Sequence, residues 1–89
     1  MVGVKDIERG GLPFDPDRLH TTALGVSRIQ RNLALTADDV VGWCRGVMSQ
    51  PGVSAVRRGK NWTVRAEDCV FTINASSLTL ITAHRRRGE

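Results

Sequence analysis

Tyrosine is absent from this 89-residue chain, and two tryptophans and two phenylalanines bring the aromatic share to only 4%. Proteins that bind single strands by stacking bases need a platform of exposed rings. Trp43, Trp62, Phe14 and Phe71 do not supply one, because three of the four fall at core positions. Cysteine is equally sparse. Cys44 and Cys69 stand 25 residues apart with no CxxC or Cys/His cluster, so a zinc site is excluded. Both fall at apolar positions of expected elements and read as small core residues in the reduced state. No run of about 18 apolar residues exists, so no segment is expected to span a membrane. The opening MVGVKDIERGG carries charge where a signal peptide needs an apolar stretch, and a cytoplasmic protein is expected. The length allows one small core, burying roughly 60–65% of the unfolded chain's surface.

Acidic residues are scarce in the second half. Residues 1–39 hold five basic and six acidic groups, whereas residues 40–88 hold eight basic groups against Glu67 and Asp68 alone. Eleven of the 13 basic residues are arginine. The planar guanidinium suits phosphate recognition, so the basic half reads as an anion-binding surface with nucleic acid as its commonest large partner. The competing reading is a solvated basic face with a charged tail.

Along the chain, residues 1–18 are rich in glycine and proline and read as an irregular arm. A single α+β domain is expected over 19–84, with 85–89 as a basic tail. Helix one spans about 22–33, capped by Thr21 or Thr22, with Val26, Ile29 and Leu33 as its apolar stripe. Gly25 weakens its first turn and marks a close approach of another backbone. Helix two is expected to start at a Thr36 cap with Asp38 and Asp39 in its first turn. Its apolar face is Val40, Val41, Cys44, Val47 and Met48, and Gln50-Pro51-Gly52 ends it.

After Gly52 the hydrophobic period changes to two. Strands are expected at 53–57, 62–66, 69–74 and 78–84, joined by short turns, which favours an antiparallel meander. The architecture is therefore two N-terminal helices packed on one face of a four-stranded antiparallel sheet. Trp62, Val64, Cys69, Phe71 and Ile73 face the helices, leaving Thr63, Arg65, Thr72 and Asn74 on the open side. Strand four has a parity conflict. If Leu78 and Leu80 point inward, so does His84, unless a bulge intervenes.

The stretch HTTALGVSRIQRNL (20–33), the turn GKNW (59–62) and the ending TINASSLTLITAHR (72–85) resemble a family of small bacterial and phage-associated proteins known as a domain of unknown function. The resemblance covers about residues 17–86. The order helix, helix, four strands is also similar to the superfamily of barnase, EndoU, colicin tRNA nucleases and RelE-type toxins. That second likeness implies metal-independent RNA cleavage by attack of a ribose 2′-hydroxyl.

Such a reaction needs a base, an acid and a cation for the charged phosphorane. His20 and His84, the two histidines of the chain, are the acid–base candidates. They are expected to lie near each other, with helix one starting beside the end of strand four. Arg28 is placed at the phosphate, and Thr72 and Asn74 position the ribose. Arg31, Arg57, Arg58, Lys60, Arg85, Arg86 and Arg87 are the expected nucleic-acid contacts. No cofactor and no metal enter this scheme. RNA is the expected partner, with a protein inhibitor or antitoxin as a further one. Two other functions remain open at this level. One is a non-catalytic nucleic-acid-binding module, and the other an interaction subunit whose sheet edge pairs with a partner.

Overall fold

The computed structural model describes residues 12–86, so the first eleven residues of the expected arm and Arg87 of the basic tail lie outside the described residues. A 3-10 turn at Pro16–Arg18 leads into α1 (Ala23–Leu33) and α2 (Val40–Met48). Strands β1 (Ser54–Arg58), β2 (Asn61–Ala66), β3 (Cys69–Asn74) and β4 (Leu80–Arg85) follow and form one antiparallel sheet in the order β1-β2-β3-β4. No described helix is long and apolar enough to cross a membrane.

Helix α1 begins where Thr22 accepts a hydrogen bond from the Gly25 amide at 3.1 Å. That bond satisfies one of the amides the first turn leaves unpaired. Ile29 and Leu33 are buried along its inner stripe. A side chain at Gly25 would collide with the Thr21 hydroxyl and stand 3.2 Å from the Leu80 carbonyl oxygen. The close approach implied by this glycine is thus to β4. Helix α2 starts later than the sequence implies. Its cap is Asp39, whose carboxylate accepts from the Gly42 amide at 2.9 Å, and Thr36 lies outside it. Of the two, Asp is the stronger capping residue.

Val64, Cys69, Phe71, Ile73, Leu80 and Ala83 of the sheet meet Ile29, Leu33, Val40, Cys44 and Met48 of the helices in one buried cluster. Each large aliphatic side chain so buried contributes about 1.5–3 kcal/mol. The face assignment read from the alternation holds for β2 and β3. Strand β4 is shorter at its start than expected. Leu78 sits in a left-handed conformation (φ 59°) outside the strand, although its side chain is buried. The parity conflict is resolved by an irregularity between Thr72 and Ile73. Ile73 pairs with Leu80, whereas Thr72 pairs with Thr82, so Ile81 is the extra residue. Leu80 and Ala83 both point into the core, and His84, opposite Val70, turns to the open face.

Candidate nucleic-acid interface

Cross-strand partners in an antiparallel sheet share a face, so the register defines the open side row by row. One row is Arg58, Asn61 and Asn74. The next is Val56, Thr63, Thr72 and Thr82. The third is Ser54, Arg65, Val70 and His84. No carboxylate belongs to any of these rows. Arg58, Arg65 and His84 are exposed, and Lys60 is exposed in the β1–β2 turn. The aromatic residues are elsewhere: Trp62 and Phe71 point to the helix side, Trp43 is on α2, and Phe14 lies 6.2 Å from Trp62, ring to ring.

The cations divide into occupied and unoccupied. Arg57 lies with its Cζ 5.7 Å from the Trp62 ring centroid and donates through Nε to the Gly59 carbonyl at 2.8 Å. Paired with Trp62, it points to the helix side and not to the open face. Arg85 bridges Asp68 at 3.1 Å and donates to the Leu33 carbonyl at 3.1 Å, tying β4 to the end of α1. Arg86 reaches the Glu67 carbonyl at 3.5 Å. Arg45 donates to the Pro16 and Leu19 carbonyls at 2.9 and 3.4 Å, which fastens the 3-10 turn to α2. Arg57, Arg85 and Arg86, which the sequence offers as nucleic-acid contacts, are thus exposed residues that each also make a contact within the protein. Among the described residues, no protein group bonds the side-chain nitrogens of Arg28, Arg31, Arg58, Lys60 or Arg65. Arg28 and Arg31 extend from the exposed side of α1, away from the sheet rows.

The two histidines are not brought together. His20 forms a parallel bridge to Thr79, with its amide donating to the Leu78 carbonyl and its carbonyl accepting from the Leu80 amide. It therefore stands at the start of β4, and His84 stands near the end. Five residues of extended chain separate them, about 15 Å. The expectation that α1 starts beside the end of β4 is thus reversed. The His20 ring is also held in place. Its Nδ1 donates to the Arg18 carbonyl at 3.2 Å, and Nε2 is 3.0 Å from the Thr79 hydroxyl. His84 stands off the sheet plane as strand side chains do.

His20 has partners that the sequence did not single out. Thr79 is 2.7 Å from the Ser77 hydroxyl, which is 3.2 Å from Asn74 Oδ1. Asn74 Oδ1 also accepts the amides of Ser76 and Ser77, both at 2.9 Å. This chain of hydroxyls ties His20 to Asn74 through the β3–β4 turn. A polar, serine-rich turn two residues from a histidine's backbone partner was the only available signal. Asn74 is thus occupied as a turn former. Thr72 and Thr82 lie side by side on the open face, and Thr82 also accepts from Asn32 at 3.3 Å. No group of three His, Cys, Asp or Glu side chains converges among the described residues.

No curated protein and no solved structure matches the chain. Residues 15–84, most of the chain, match a family model whose description is a protein of unknown function. On that match the chain belongs to the DUF3781 family.

Proposed function

We propose that the domain is a nucleic-acid-binding module that grips the sugar–phosphate backbone of RNA with the open face of its sheet. The observation that carries this reading is the set of cations Arg58, Lys60 and Arg65, unengaged among the described residues, on and beside rows that hold no carboxylate. Threonine, asparagine and serine side chains between them supply neutral donors for phosphate and ribose oxygens. The lack of an aromatic ring on this face favours backbone contact over base stacking.

Cleavage is the weaker reading. The likeness to ribonuclease toxins rests on element order alone, and fold does not determine function. Acid and base must each come within hydrogen-bond reach of one phosphodiester, and His20 and His84 stand at opposite ends of β4.

Fluorescence anisotropy with a labelled RNA 20-mer, followed from about 50 to 200 mM salt, tests the proposal. Wild type binds, and the logarithm of its affinity falls linearly with the logarithm of salt. Each of Arg58→Ala, Lys60→Ala and Arg65→Ala reduces the slope by about 0.7 for a single strand or about 0.9 for a duplex. No binding at about 50 mM, or a slope unmoved by the triple variant, overturns it. The same RNA incubated with protein in EDTA stays intact.

A further inference from the structure

The two edges of the sheet are treated differently. On the outer side of β4, the His20 amide and carbonyl bond to Leu78 and Leu80. The Thr21 hydroxyl donates to the Leu80 carbonyl at 2.7 Å, and Asn32 Nδ2 donates to the Ala83 carbonyl at 3.2 Å. That edge is covered over its first half and at the Ala83 carbonyl. On the outer side of β1, no backbone or side-chain group among the described residues bonds to the strand.

The register identifies the bare groups. Arg58 and Asn61 close a two-residue turn, so the pairs Arg58–Asn61, Val56–Thr63 and Ser54–Arg65 are the ones that exchange backbone hydrogen bonds. The N–H and C=O of Ala55 and Arg57 therefore point outward. They repeat every two residues, about 6.8 Å. Only another extended polypeptide presents complementary groups at that spacing. Val56 is 53% exposed, one of two large apolar side chains so placed among the described residues. It stands on the open face between Ser54 and Arg58, where a neighbouring strand's side chain would cover it.

Charge selects the occupant. The hairpin from Ser54 to Ala66 contains Arg57, Arg58, Lys60 and Arg65 and no Asp or Glu. A second copy pairing β1 with β1 would bring two such hairpins together without a single carboxylate, and like charge on an edge is how proteins discourage that contact. An acidic strand meets the opposite field. We propose that β1 docks an extended acidic segment of a partner protein, which adds as a fifth antiparallel or parallel strand and pairs with the outward groups of Ala55 and Arg57. This interface shares Arg58, Lys60 and Arg65 with the RNA-binding reading, but its backbone pairing at Ala55 and Arg57 is read out without RNA and stands or falls by itself.

The test uses the full chain and a capped peptide, Thr-Val-Glu-Glu-Val-Thr, beside a Lys-Lys counterpart and a version N-methylated at alternate residues. Binding is followed by amide chemical shifts and hydrogen exchange. The Glu-Glu peptide shifts the Ala55 and Arg57 amides and slows their exchange. It binds about tenfold tighter than the Lys-Lys peptide, the order expected of two exposed ion pairs. N-methylation abolishes binding, which isolates backbone pairing without altering the protein. The double variant Arg58→Glu with Lys60→Glu reverses the peptide preference while leaving the inner ladder intact.

Equal binding of the two charged peptides overturns the proposal. So does a footprint away from β1, or no binding by any peptide. Protection of the same amides by rising protein concentration alone also overturns it, because the occupant is then a second copy.

Discussion

At the scale of single residues, the core places unusual demands on its two thiols. Burial pushes the Cys44 thiol up to about 12, and its neighbour Cys69 adds to the rise. Cys69 is pushed up to about 11, first by burial and then by the Asp68 carboxylate, which accepts its S–H at 3.5 Å. Each folded-state value lies above the ordinary value of 9.0, so the folded state favours the neutral thiol. The resulting stability is fully present below pH 9 and is lost as pH rises toward 11 and 12, because the unfolded chain ionises first. Urea midpoints should therefore fall between pH 8 and pH 10.5. The fall should shrink in a Cys44→Ala, Cys69→Ala protein. The native protein should also react with a thiol reagent at pH 8 only as fast as it opens, since the nucleophile is the thiolate. A drop in midpoint of the same size in the cysteine-free protein would assign the pH dependence to other groups.

At the scale of elements, the two tight hairpins make a matched pair. Both have two-residue turns, and in both the first turn residue has a positive φ: 58° at Gly59 and 55° at Glu67. Glycine adopts that region without cost, whereas a residue with a Cβ is disfavoured there by roughly 1–2 kcal/mol. Glu67→Gly should therefore raise stability by up to about 1 kcal/mol, and Gly59→Ala should lower it by about 1 kcal/mol or more. Thermal unfolding of the two variants beside wild type checks both signs, and a destabilised Glu67→Gly protein would contradict the turn assignment. Both turns were legible in the sequence because period-two segments bracketed them. The bulge at Ile81 was legible only as a contradiction between Leu80 and His84. One extra residue leaves composition unchanged and alters only which face follows, so the alternation itself could not choose between a bulge and an inward histidine.

At the scale of the whole molecule, what could be read and what could not separate along one line. The layer order, the strand pairing and the inward residues of β2 and β3 follow from local periodicity, and the structure has them. The division of the arginines does not follow from any local pattern. Arg57 and Arg58 are adjacent and chemically identical, yet one lies against Trp62 and the other is unengaged, because strand register decides which neighbour each meets. The histidine separation is likewise set by a single long-range bridge between His20 and Thr79. The same line gives a test of the architecture from two neighbouring residues. Phe71 is fully buried between Val64 and Ala83, while Thr72 points to the uncovered side between Thr63 and Thr82. Phe71→Ala removes a large side chain from the core between helices and sheet and should cost about 3–5 kcal/mol. Total stability of a small domain is of order 5–15 kcal/mol, so this variant should be largely unfolded in mild denaturant. Thr72→Ser removes one methyl group from an open face and should stay within about 0.5 kcal/mol of wild type. Urea denaturation of both proteins decides the matter. Comparable losses at 71 and 72 would mean that something covers the second face as fully as the helices cover the first, and that the rows assigned to RNA are not open to it.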